Sequence, residues 1–132
     1  ARFGDPETEV VLPRLKSDIV DIFCAVAEGR DTRLEWHDFA ALGIVLASKG
    51  YPGDYEKGFE IKGLDTVEGA VYHMGTKADG DRILTNGGRV LFVVGTGRDL
   101  AEARKNALAD VARIDCGNLF HRTDIGHRAF EK

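Results

Sequence analysis

Three observations predict an α+β fold, a mainly antiparallel sheet covered by a helix. Arg89-Val90-Leu91-Phe92-Val93-Val94, which follows a Gly87-Gly88 break, is the strongest strand in the chain. The stretch after it, residues 99–114, carries apolar side chains at helical spacing. Ahead of it, short β-forming runs alternate with polar turns such as Asp79-Gly80-Asp81, which join neighbouring strands as hairpins.

Size and composition suit that class. A chain of 132 residues, 43% hydrophobic and 30% charged, buries one good core with a small appended piece. The net charge is −4 and Lys and Arg are scattered, which argues against a nucleic-acid partner. No apolar run approaches the ~20 residues that span a bilayer, and the first residues lack a signal-peptide pattern. Cys24 and Cys116 lie far apart in different contexts and read as reduced thiols of a cytoplasmic protein.

Taken in order, the chain opens on Ala1-Arg2-Phe3-Gly4-Asp5-Pro6-Glu7-Thr8-Glu9, an arginine and three carboxylates within nine residues. By composition this is a solvated turn leading into a helix. Pro13 splits the next stretch into two short pieces. Residues 17–28 read as a helix in which Ser17 accepts the first free N–H groups, Ile19, Ile22, Phe23 and Val26 face a core, and Gly29 ends the helix in a left-handed turn. Residues 29–33 are the candidate domain boundary.

Residues 35–48 read as a strand with an apolar second half, followed by the loop Gly50-Tyr51-Pro52-Gly53-Asp54-Tyr55. Short strands are expected at 59–63 and 71–75, the latter joined through Asp79-Gly80-Asp81 to Ile83-Leu84-Thr85. Asp99 with Glu102 three residues on makes a capping box for the 99–114 helix, whose stripe is Leu100, Ala103, Ala107, Val111 and Ile114 and whose stop is Gly117. A last strand at 119–122 leads to the Asp124-Ile125-Gly126 turn.

Candidate chemistry is sparse. In Asn86-Gly87-Gly88-Arg89, two glycines expose backbone N–H groups and Arg89 offers a fork suited to phosphate or carboxylate. The alternative is a hairpin or bulge with a solvated arginine. Gly95-Thr96-Gly97 imitates a dinucleotide-binding turn, but Leu100 replaces the third glycine and no strand ending in an acid comes ~20 residues later. His37, His73, His121 and His127 lack metal-site spacing and read as packing or surface residues. Tyr51 and Tyr55 either stack on a ligand or pin their own loop. Arg122, Asp124, His127 and Arg128 read as a structural charge network.

Several blocks nonetheless fall into a familiar order: Arg2-Phe3-Gly4-Asp5-Pro6-Glu7-Thr8, Leu15-Lys16-Ser17-Asp18, Ala47-Ser48-Lys49-Gly50-Tyr51-Pro52-Gly53-Asp54-Tyr55, Thr85-Asn86-Gly87-Gly88-Arg89-Val90-Leu91 and Arg122-Thr123-Asp124-Ile125-Gly126-His127-Arg128-Ala129. Their arrangement resembles the C-terminal third of the phosphoribosylamine–glycine ligase (glycinamide ribonucleotide synthetase) family of the ATP-grasp superfamily. The resemblance implies that residues 1–30 are the C-terminal helical end of an ATP-grasp module and residues 31–132 the ligase's C-terminal domain.

It also implies an activity: joining glycine to 5-phosphoribosylamine in purine biosynthesis, with ATP and Mg²⁺ or Mn²⁺, through a glycyl phosphate. A Glu and an Asn two residues apart hold the metal in that family. They would precede Ala1, so no metal ligand is expected in this chain, which alone is expected to be inactive. Arg2 falls where related ligases place a transition-state-stabilising arginine. Its alternative is a surface arginine paired with Glu7. Asp5 and Glu7 match acids that hold an ammonium group or orient Arg2, and two carboxylates so spaced also suit a metal or acid–base role. Arg89 matches a segment that contacts the ribose-phosphate substrate. The partners implied are glycine, 5-phosphoribosylamine and ATP. The competing reading is a non-catalytic binding or interaction module on the same fold. An upstream reading frame carrying Glu-x-Asn, as against a start codon near Ala1, discriminates the two.

Overall fold

The computed structural model describes residues 2–131. It opens with a short helix α1 (Glu7–Val11), a 3₁₀ turn at Leu12–Arg14 that places Pro13 in its first turn, and α2 (Ile19–Ala27). Next come β1 (Ala40–Ser48), β2 (Glu60–Ile61), β3 (Ala70–His73), β4 (Thr76–Asp79), β5 (Arg82–Thr85) and β6 (Arg89–Gly97). The chain ends with α3 (Leu100–Val111), β7 (Leu119–Phe120) and a 3₁₀ turn at His127–Ala129. Every strand pairing among the described residues is antiparallel, in a four-stranded sheet of order β3-β6-β1-β7 and a three-stranded sheet of order β2-β5-β4.

The two long strands form the spine. β1 and β6 run in register from Ala40 opposite Gly97 to Leu46 opposite Leu91. Alternation then sends Leu42, Ile44 and Leu46 of β1, with Leu91 and Val93 of β6, to the face covered by α3. Ala103, Ala107 and Val111 of α3 complete that core, and Ile61 and Ile83 of the small sheet extend it. The helix lies unusually close to β6, because a Cβ on Gly95 would collide with the Ala107 backbone nitrogen and the Ala103 carbonyl oxygen. Gly95 and Gly97 thus belong to strand β6 and to helix packing, which accounts for the glycines that imitated a dinucleotide-binding turn. The opposite face of the sheet receives α1.

Several local expectations need correction. Asp18, not Ser17, caps α2, accepting from the N–H groups of Val20 (2.7 Å) and Asp21 (3.3 Å). The Ser17 hydroxyl instead accepts from Glu35 N–H at 2.8 Å, tying the helix entrance to a later segment. Ile22 and Ala25 are buried on α2, whereas Phe23 and Val26 are exposed. Residues 35–39 are not strand. Trp36 forms an isolated bridge with Leu15, and no longer pairing extends it among the described residues.

The Asp79-Gly80-Asp81 hairpin joins β4, which sequence reasoning missed, to β5. Gly80 there takes φ +60°, the left-handed region that favours glycine. Asp99 caps α3 as expected, accepting from Glu102 N–H at 2.8 Å, but the Glu102 carboxylate reaches back to Arg98 N–H (2.7 Å). The helix ends at Val111, well before Gly117, because Asp115 pairs with Lys62 through two backbone bonds of 2.9 and 3.0 Å and draws the chain away. No helix among the described residues is long and apolar enough to cross a membrane.

Candidate functional site

On the face of the large sheet away from α3, a cleft of about 510 Å³ opens between the sheet and α1, a size common to small-molecule sites. Its floor is Gly43, Val45 and Ala47 of β1 with Phe92 of β6. The Phe92 ring lies across Gly43, where any Cβ would collide with it. Pro6, Glu7 and Val10 form one wall, and Phe120, His121, Arg122 and Ile125 another. Tyr51 and Arg89 close the remaining side. The cleft is apolar within and carries Glu7, Arg89 and Arg122 as charged groups.

Arg89 enters the cleft because the strand is irregular. Leu46 opposes Leu91, but the next residue of β1, Ala47, opposes Arg89, so Val90 is an extra residue in β6. Val90 is fully buried, and its carbonyl accepts from both Met74 N–H (3.0 Å) and Gly75 N–H (3.1 Å). Unbroken alternation would place Arg89 on the same face as Leu91, toward α3. The bulge reverses it onto the face of Ala47.

Two stretches 84 residues apart in sequence meet there. Arg89 Nη1 donates to the Asp5 carbonyl oxygen at 2.6 Å, and Nη2 lies 3.4 Å from the Asp5 carboxylate. Behind Asp5 the loop is folded on itself: the Thr8 hydroxyl donates to the Gly4 carbonyl at 2.6 Å, and the Glu7 carboxylate lies against Gly4. Arg2 is exposed and donates to the Phe3 carbonyl at 3.0 Å instead of pairing with Glu7. The Phe3 ring rests 5.7 Å from that of Phe23 on α2.

Gly87 and Gly88 do not present open backbone as expected. Gly88 is buried under the Tyr51 ring with Tyr55 beside it, and Gly87 packs against Gly75. Their carbonyls accept from Ser48, the hydroxyl to Gly87 and the N–H to Gly88, both at 2.8 Å. Asn86 is exposed, and its N–H donates to the Gly75 carbonyl at 2.8 Å. Tyr51 and Tyr55 meet edge to face at 6.4 Å, so they pin their own loop.

Arg122 and His121 were not singled out as cleft residues, and nothing local in the sequence marks them. They join the wall because β7 pairs with the end of β1. Asp124 holds the Arg122 fork through bonds of 2.9 and 2.7 Å. Those bonds to Arg122 keep the Asp124 carboxyl below the usual carboxylate range, and they raise the arginine in turn. Arg104 of α3 anchors this turn by donating to the carbonyls of Ile125 (3.0 Å) and Thr123 (2.8 Å). His127 lies 3.9 Å from Asp124, so the expected charge network forms around Asp124 without Arg128, which makes no ion pair among the described residues. Away from the cleft, His37 stacks on Phe39 and His73 bonds the Thr76 hydroxyl. Cys24 and Cys116 are free.

Among the described residues, no group of three or more His, Cys, Asp or Glu could hold a metal ion. Both arginines of the cleft are already paired, Arg89 with Asp5 and Arg122 with Asp124, above an apolar floor.

The family described as "Phosphoribosylglycinamide synthetase, C domain" matches residues 41–128. A phosphoribosylamine–glycine ligase of Halalkalibacterium halodurans is 49% identical over 98% of this chain and 31% of its own length. That of Salmonella typhimurium is 47% identical over 99% of this chain and 32% of its own. The crystal structure of phosphoribosylamine–glycine ligase from Thermotoga maritima superposes with a TM-score of 0.84 at 35% identity, covering 96% of this chain and 32% of that one. The chain spans about a third of the length of the curated relatives it matches.

Proposed function

The chain belongs to the phosphoribosylglycinamide synthetase C-domain family, and from that membership we propose that it is the C-terminal part of a cytoplasmic ligase that joins glycine to 5-phosphoribosylamine with hydrolysis of ATP. Residues 1–30 complete the ATP-grasp module of the whole protein, and residues 31–132 form the domain that closes on its active site. ATP supplies the phosphoryl group that makes the glycine carboxylate an electrophile. Mg²⁺ or Mn²⁺ would be held, as in that family, by a Glu and an Asn preceding Ala1.

Within this chain, Arg2 steadies the negative charge that develops as the phosphoryl group moves, because a guanidinium stays charged and presents several donors at once. Asp5 and Glu7 follow it on the same loop, with Glu7 in the cleft wall, and suit the ammonium of glycine or the amine of phosphoribosylamine. Of residues 86–89, Arg89 lines the cleft, and its fork is engaged by Asp5 rather than open to the ribose-phosphate substrate.

The observation that supports this reading most is the meeting of Arg89 with Asp5, which brings the acidic loop to the cleft of the C-terminal domain. The test is ADP release dependent on both glycine and phosphoribosylamine, using the full-length protein. Arg2→Ala should lower kcat on the order of 10²- to 10³-fold with little change in KM. An unchanged kcat would remove Arg2 from the mechanism. A wild-type protein that released no ADP would overturn the ligase assignment itself.

A further inference from the structure

We propose that Arg89 is a positioning residue: through Asp5 it holds the loop of residues 2–9, and Arg2 with it, in place beside the cleft. The proposal rests on the role given to Arg2 above, but the geometry that carries it involves no substrate.

The β-bulge is the first support. Arg89 faces the cleft only because Val90 is inserted into β6, and a bulge of this kind interrupts the ladder in order to re-aim a side chain. The second is the direction of the fork. Both of its terminal nitrogens address one residue 84 positions earlier, and the 2.6 Å bond goes to a backbone carbonyl. A charge-assisted bond to a carbonyl is short and directional. The ion pair at 3.4 Å joins two partly exposed groups and contributes little. The grip is therefore on the main chain.

The third support is the loop's internal folding. The Thr8 hydroxyl and the Glu7 carboxylate both close on Gly4, so what is fixed at Asp5 is fixed at Gly4 and Arg2 lies two residues further. Among the described residues, Arg2 bonds only its neighbour's carbonyl, and that bond does not anchor it to the body of the domain. A charge-stabilising group displaced by about 1 Å can cost on the order of 10²-fold in rate. Holding that loop thus affects the rate even from a residue remote from the reacting atoms.

Arg89→Ala and Arg89→Lys in the full-length protein test this through two readouts. Hydrogen exchange without substrates should accelerate across residues 4–12 in Arg89→Ala, by at least about tenfold. In steady-state kinetics the same variant should lose on the order of 10²-fold in kcat, with KM for each substrate within about twofold. Arg89→Lys keeps a single donor for the Asp5 carbonyl and should recover part of both effects. Unchanged exchange with a raised KM for phosphoribosylamine alone would overturn the proposal in favour of direct substrate contact. Lowered thermal stability with unchanged kcat would reduce Arg89 to a structural role. If the wild-type protein releases no ADP, the ligase reading fails, while the exchange comparison still decides whether Arg89 holds the loop.

Discussion

Asp110 is 3% exposed on α3, and its carboxylate accepts from Glu68 N–H (3.1 Å), Gly69 N–H (2.9 Å) and Arg113 Nη1 (2.6 Å). It thereby holds the entry to β3, the edge of the large sheet, against the helix. The exposed pair of Arg122 with Asp124 is better aligned, yet water and salt screen it, so Asp110 is the carboxylate on which stability depends. Asp110→Asn keeps the shape but turns one acceptor oxygen into a donor facing another donor. Chemical denaturation should show a loss of about 1–3 kcal/mol. A midpoint within error of wild type would mean that the two N–H groups find other partners. Sequence spacing put Ala103, Ala107 and Val111 on the buried stripe but carried no sign of Asp110, because the backbone N–H groups it accepts from lie 41 and 42 residues away.

At the scale of elements, the contact of α3 with β6 decides where the sheet sits. Gly95 has ordinary strand neighbours, and what it lacks is room, since helix backbone fills the place of a side chain. Gly95→Ala should push α3 off the sheet and cost about 3 kcal/mol, because backbone cannot swing aside as a side-chain tip does. A melting temperature unchanged by the substitution would show that the helix can shift freely. The helix itself was legible in its cap, Asp99, and in its 3.6-residue stripe. Residues 35–39 were misread as strand because β-forming side chains do not supply a neighbouring strand, and Trp36 finds only Leu15 among the described residues.

For the whole molecule, α2 is the telling part. Val20, Phe23 and Val26 are 61%, 47% and 65% exposed, and Phe3 adds to the same side of the structure. A helix with an apolar face in water ordinarily has something to cover it. If residues 1–30 complete a larger module, the preceding part of the full-length protein covers that face. Cys24 lies one helical turn beyond Val20 and is exposed here. Its alkylation by iodoacetamide should therefore be slower in the full-length protein than in this chain, by at least about tenfold. Equal rates would place the boundary between the two units elsewhere.

What the amino-acid sequence determined by itself was local or cumulative: the α+β class, the spine strand at β6, the cap and stripe of α3 and the turn at Gly80. These come from steric preference and periodicity over a few residues, which any neighbourhood reads the same way. The tertiary structure alone decided the cleft, the place of Arg122 and His121 in its wall, and the aim of Arg89. Each depends on register between segments distant in the chain. One extra residue at Val90 reverses a side chain from core to cleft, and a strand's composition is the same with or without that slip.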